Sequence, residues 1–231
     1  MRVPKQAPRV RQGRVGEELR EGLAYVRSVP LIRTLMLMLS AISVVGGAYT
    51  SLLPAVAADT LHGGASTLGW LMGSAGAGAL VGALYLARRE TVVGLGGVIA
   101  RCGIGLGLGL MALEAASTVG MAAPVLFVVG GTLMVQWAAI NTLVQTVSED
   151  ALLGRVMSLY ALVFFAGAPV GALIEGSLAS VLGPIHTFAI AGAVCLVCAL
   201  AFRRALPALR AVSRPRYVAL GLLVDDAPVH P

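Results

Sequence analysis

Residues 115–148 read AASTVGMAAPVLFVVGGTLMVQWAAINTLVQTVS, a run without a single Asp, Glu, Lys or Arg. Crossing the ~30 Å hydrocarbon layer of a bilayer takes about 20 apolar residues in a helix, and this run exceeds that length. Lipid supplies no hydrogen bonds to an open backbone, so a helix is the form in which such a run can span. Further charge-free stretches lie at 34–58, 60–87, 102–113, 156–174 and 176–202. Turn signals divide them: His62-Gly63-Gly64, the cluster Arg88-Arg89-Glu90, Glu114 to Thr118, Glu149-Asp150, and Gly183-Pro184. The expected spans are 31–57, 67–87, 92–113, 119–145, 156–179 and 184–202. The sequence therefore reads as an all-α integral membrane protein with six transmembrane helices.

Composition agrees. Apolar residues make up 58% of the chain and charged residues 12%, and the mean hydropathy is +0.88. Soluble domains carry about 25% charged residues, so this chain lacks the charge to cover a water-facing surface. Lipid is the expected partner. A net charge of +6 does not point to nucleic acid, because the basic residues sit between apolar blocks and form no single patch.

Their placement sets an orientation. Arg2, Lys5, Arg9, Arg11, Arg14, Arg20, Arg27 and Arg33 precede or begin the first span. Arg88 and Arg89 follow the second, Arg155 follows the fourth, and Arg203, Arg204, Arg210, Arg214 and Arg216 follow the sixth. Of the 17 basic residues, only Arg101 lies elsewhere, inside the third span, where it is expected to snorkel toward the cytoplasm. Both termini are expected in the cytoplasm and the chain in the plasma membrane. Three regions result: a basic linker with a short amphipathic helix at 1–30, a transmembrane domain at 31–204, and a cytoplasmic tail at 205–231. Within the first, residues 1–14 are expected to be disordered. Leu19, Leu23 and Val26 recur at helical spacing and suggest a short amphipathic helix over 15–29 lying on the cytoplasmic membrane face, ended by Pro30, with an ordinary juxtamembrane linker equally open. The N-terminus carries no signal-peptide pattern, since its first apolar run starts too late and is too long.

Soluble-enzyme chemistry finds no support. His62, His186 and His230 are scattered without metal-ligand or nucleophile–base spacing. Cys102, Cys195 and Cys198 lie in apolar segments as small hydrophobes, and no cofactor or metal is implied. The run Gly103-Ile-Gly-Leu-Gly-Leu-Gly109 follows no strand and so reads as helix packing instead of a phosphate loop. The glycine pairs Gly69/Gly73, Gly78/Gly82, Gly103/Gly107 and Gly105/Gly109 are spaced for close helix approach.

Polar residues within spans are expensive and call for partners. Trp137, Asn141 and Gln145 recur every four residues on one face of the fourth span, with Gln136 about 100° away. On the first span, Ser43, Gly47, Thr50 and Pro54 follow helical spacing, with Tyr49 beside Thr50. Interhelical hydrogen bonding explains these faces as readily as solute contact. Pro54 and Pro169 each remove a backbone hydrogen bond, and Gly167 and Gly171 flank the second; static kink and hinge are both open. Asp150 and Arg155 flank the loop before the fifth span as a candidate gate-closing ion pair, one that would be weak at a surface. Glu175, near the outer end of the fifth span, is expected as an interfacial residue, with a proton-coupling carboxylate as the less favoured alternative.

Two longer motifs resemble a known family. Gly22-Leu-Ala-Tyr-Val-Arg-Ser-Val-Pro-Leu-Ile-Arg-Thr-Leu35 with Gly46-Gly-Ala-Tyr-Thr-Ser-Leu-Leu-Pro54 resembles the entry into the seventh helix of major facilitator superfamily transporters, in the branch that includes the enterobactin exporter. Gly154-Arg-Val-Met-Ser-Leu-Tyr160 and Phe165-Ala-Gly-Ala-Pro-Val-Gly-Ala172 resemble that branch's loop into the eleventh helix and the glycine–proline run within it. Leu153 stands where the family has Arg, and the loop after the second span lacks the fuller motif's acidic residue. The resemblance covers about residues 20–210 and implies the second six-helix half of a twelve-helix transporter. It implies proton-linked efflux of a small organic solute, drug-like or siderophore-like. It also implies a cavity lined by the first, second, fourth and fifth helices, with Tyr49, Thr50, Gln136, Trp137, Asn141 and Gln145 as contacts and Pro54, Pro169, Gly167 and Gly171 as hinges. A complementary six-helix half or a second copy of the chain is the expected partner. The alternative is a truncated, non-transporting membrane protein or gene remnant.

Overall fold

The computed structural model describes residues 15–89 and 91–219. The stretch expected to be disordered at 1–14, Glu90 of the charge cluster, and the tail from 220 onward lie outside them, as does the side chain of Leu19. Among the described residues the fold is helical throughout. Seven helices follow in order: α1 (Val15–Ser28), α2 (Pro30–Ala55), α3 (Ala65–Ala87), α4 (Leu95–Ala112), α5 (Val119–Val147), α6 (Leu153–Leu182) and α7 (Pro184–Ala219). A π-helical turn, Val56–Thr60, extends α2, and a 3₁₀ turn, Leu113–Ala115, extends α4. Six of these, α2 to α7, are long and apolar enough to cross a bilayer.

Local chemistry sets the ends. Pro30 occupies the first turn of α2, where its missing N–H is no loss, and Val29 before it is extended. That single residue separates α1 from α2. After α3, the Arg89 guanidinium donates to the carbonyls of Thr91 and Val93, at 3.1 and 2.7 Å, and Gly94 turns with φ +84°. This wrapped loop delays α4 to Leu95, three residues later than expected. α7 departs furthest from expectation. It runs unbroken from Pro184 to Ala219, so the tail expected from 205 begins as a continuation of the helix. Leu206 and Leu209 are buried, and Leu206 lies where a side chain at Gly96 of α4 would stand. Packing against the start of α4 holds this stretch helical.

The principal pairings are α3 with α5, α2 with α6, α4 with α7, and α4 with α5. Glycine sets the closest seam. A Cβ at Gly78 of α3 would overlap the Phe127 carbonyl, and one at Gly130 of α5 would overlap that of Ala75, so these backbones touch directly. The core between the helices is apolar, with Ile32, Leu35, Leu39, Ile42 and Leu53 of α2 fully buried alongside Leu126 and Ile140 of α5. The outside is apolar too: Trp70 and Leu80 on α3, Phe165 and Leu173 on α6 and Val197 on α7 are all more than 60% exposed. Water-soluble monomers rarely expose contiguous apolar faces of that extent, and a bilayer covers them.

The bundle thus has two ends. One holds α1 and the α3–α4 and α5–α6 loops; we call it the α1 end. The opposite end holds the turn at His62, the α4–α5 loop and the α6–α7 turn, where His186 Nδ1 lies 2.9 Å from Glu114 Oε1. Arg101 on α4 donates from Nε to the Gly97 carbonyl at 3.3 Å, one turn nearer the α1 end.

Candidate functional site

A cavity of about 270 Å³ lies between α2, α3 and α5, at mid-length of the helices. Gly46, Tyr49, Thr50 and Leu53 line it from α2; Met72, Ala75, Gly76 and Ala79 from α3; Gly130, Leu133, Met134 and Trp137 from α5. Its walls are small or apolar because α3 and α5 meet through glycine and alanine there, which leaves room beside the seam. Few polar groups face it. Tyr49 is buried, and the indole N–H of Trp137 has no acceptor among the described residues. A buried donor without a partner is uncommon, and here it stands at a cavity wall.

Behind Trp137 an aromatic cluster joins α5 to α6. The rings of Trp137 and Phe164 meet edge-to-face at 5.0 Å, and Phe164 stacks with Tyr160 at 6.2 Å. The Tyr160 hydroxyl donates to the Trp137 carbonyl at 3.3 Å, and the Asn141 side chain hydrogen-bonds to the same hydroxyl. Gln145 Nε2 in turn donates to Asn141 Oδ1. The sequence reading missed Tyr160 and Phe164 as part of this site, although their i, i+4 spacing on α6 is the signal that would have found them.

The expected cavity residues therefore separate. Tyr49, Thr50 and Trp137 share the cavity. Asn141 and Gln145 lie one and two turns further toward the α1 end. Gln136 points away from it: fully buried, it donates through Nε2 to the Ile99 carbonyl of α4 at 3.4 Å and packs against Gly103. A position 100° around a helix from the cavity face meets the neighbour on the other side, and α4 packs there.

The expected ion pair of Asp150 with Arg155 is replaced by another. Arg155 pairs with Glu21 of α1 at 2.7 Å. The Glu149 N–H donates to the Tyr25 hydroxyl at 3.2 Å, and Gly22 of α1 seats against Leu159 and Arg155. The amphipathic helix expected on the membrane face thus docks on the start of α6 and on its preceding loop. Leu23 remains partly exposed while Val26 is buried.

Of the expected hinge residues, Pro54 lies one turn beyond the cavity residue Thr50 and directly before the π-helical turn. In α6, Gly167 and Gly171 are buried while Pro169 is exposed. A Cβ at Gly167 would overlap Ser43 of α2, so α2 and α6 meet backbone to backbone at that point. Glu175 is turned into the bundle. It is 4% exposed, and neither carboxyl oxygen has a hydrogen-bond partner among the described residues. Its position along the helix sets how near the end it lies; its position around the helix, on the face that Gly167 and Gly171 share, sends its side chain inward. An ion so enclosed is destabilised by several kcal/mol even after the protein relaxes.

Among the described residues no group of His, Cys, Asp and Glu is arranged to hold a metal ion. The cavity can take a small, largely apolar solute against aromatic faces. No curated protein and no solved structure matches the chain. The model of one protein family, described as transmembrane secretion effector, matches residues 1–220. That match takes in every described helix, so the six-span bundle with its mid-length cavity belongs to the transmembrane secretion effector family of major facilitator superfamily transporters.

Proposed function

We propose that the chain exports a small organic solute across the plasma membrane, drug-like or siderophore-like, in exchange for protons. The observation that carries the reading is the cavity between α2, α3 and α5, lined in part by Tyr49, Thr50 and Trp137. Tyr49, Thr50 and Trp137 contact the solute. Asn141 and Gln145 extend its polar track toward the α1 end, which faces the cytoplasm, and Pro54 and Pro169 serve as bending points. The arginine distribution supports that orientation. It also supports residues 1–30 and the segment from 205 as cytoplasmic regions flanking the transmembrane domain.

The cavity is open on one side, where Met72 and Gly76 of α3 are exposed, and the exposed faces of α3 and α6 are apolar. A second six-helix unit closes this side, contributed by a complementary half or by a second copy. The motif resemblance to the enterobactin exporter branch supports siderophore-like and drug-like compounds as the solute class. Reconstitution into proteoliposomes tests the reading, with ethidium and a catecholate siderophore as probes under an imposed pH gradient. Flux that needs the gradient and falls in Trp137→Ala is expected; no gradient-dependent flux of either probe, with the chain folded, contradicts it.

A further inference from the structure

We propose that Glu175 is the group that binds and releases the coupling proton, and that bending of α6 at Pro169 switches it between a sealed and a wetted position. The inference deepens the proton-linked reading above and rests on it.

Three observations converge. First, Glu175 ends a buried stripe on α6. Within the helix the buried residues are Val156, Tyr160, Gly167, Gly171 and Glu175, and the last three recur every four residues on one face. Around them Val170, Leu173, Ile174 and Gly176 are exposed, so Glu175 is turned inward while its chain neighbours are not. Second, the carboxyl group is sealed from water with no donor to either oxygen. A carboxylic acid tolerates such a place far better than a carboxylate. Third, the stripe contains its own means of movement. Gly167 abuts Ser43 of α2, whose buried hydroxyl also lacks a partner. Pro169, two residues later, withholds an N–H from the Phe165 carbonyl. Glu175 lies six residues beyond that break, so bending there carries it while the Gly167–Ser43 contact stays fixed.

The helices packed against α6 are α1, α2, α5 and α7. None brings a cation to Glu175. Between Thr34 and Ala58, α2 has no charged residue, and α5 has none at all. On α7, the thiol of buried Cys195 is the electrostatic neighbour of Glu175, with Cys198 a turn beyond. His186, on the same helix, is engaged with Glu114. The charged groups of α1 and Arg155 stand at the other end of α6, about 30 Å away at about 1.5 Å per residue. A site without a fixed cation holds its proton while sealed and yields it only when water enters. The exchange is simple: the O–H bond of the carboxyl breaks, the proton passes to water, and the reverse step restores it.

The test does not depend on transport. Infrared difference spectroscopy of the purified chain in lipid, titrated with pH, reads the carboxylic C=O band; a Cys102→Ala, Cys198→Ala background leaves Cys195, the buried neighbour of Glu175, as the one thiol for maleimide labelling. A carboxylic band present at neutral pH, shifted in Glu175→Asp and absent from Glu175→Gln, is expected. Labelling of Cys195 should rise over the pH interval in which the band falls, and that rise should shrink to the intrinsic thiol dependence in Glu175→Gln. Absence of the band at neutral pH overturns the proposal, as does a band that titrates while Cys195 labelling matches that of Glu175→Gln. Failure of solute flux with the band intact counts against the transport reading instead.

Discussion

Glycine spacing shows at single-residue resolution what packs and what does not. Four i, i+4 pairs were expected to seat partner helices. Gly78/Gly82 meets α5, Gly103/Gly107 meets α7, and Gly105/Gly109 meets Thr132 and Val129 of α5, whereas a side chain at Gly69 or Gly73 would meet nothing. Spacing alone gives the period of a face, and only the fold tells which face has a neighbour. A methyl group at Gly78 is forced onto the Phe127 backbone, which has no rotamer to give. Gly78→Ala is therefore expected to destabilise the purified chain by about 1–3 kcal/mol, while Gly73→Ala leaves it within about 0.5 kcal/mol; thermal denaturation in detergent separates the two. The same limit explains the mixed outcome at the site. Tyr49, Thr50 and Trp137 were legible because they share helical faces with other polar residues. Gln136 took the interhelical alternative, and the direction of Gln136 and Glu175 around their helices depends on where α4 and α2 stand, which no local signal gives.

At the scale of elements, the six spans were legible from length and charge, since the hydrocarbon thickness fixes both. Their ends were less so. The start of α4 waits on a loop wrapped around Arg89, and the end of α7 on packing against α4, neither of which is a local signal. The docking of α1 was likewise hidden, because its short apolar pattern is shared by helices that lie on lipid and helices that lie on protein. Its ion pair from Glu21 to Arg155 is largely exposed, and exposed pairs contribute about 0.2–1 kcal/mol. Glu21→Gln should barely change thermal stability yet speed proteolytic cleavage within α1. The exchange Glu21→Arg with Arg155→Glu should restore the slower rate. A second element-scale expectation concerns α2. Pro54→Ala lets residue 54 donate to the Thr50 carbonyl and stiffens the helix beside the cavity. Solute flux should fall while the melting temperature holds or rises; unchanged flux identifies a static kink.

For the whole molecule, the physical claim is that six long apolar helices dissolve in a bilayer and present a small, nearly apolar cavity at mid-length. Apolar faces on α3 and α6 that would aggregate in water become lipid-facing or partner-facing surfaces, and the arginines gather at the α1 end. The family match fits an all-α membrane protein, and the alternation of ends follows from the topology. Cysteine accessibility tests this most directly. With Cys102, Cys195 and Cys198 replaced by alanine, His62→Cys, Ser117→Cys and Arg88→Cys are each probed in intact cells with a membrane-impermeant maleimide. Positions 62 and 117 should be labelled from outside, and position 88 only after the membrane is opened. Labelling of 62 and 117 solely from the cytosolic side would contradict the account.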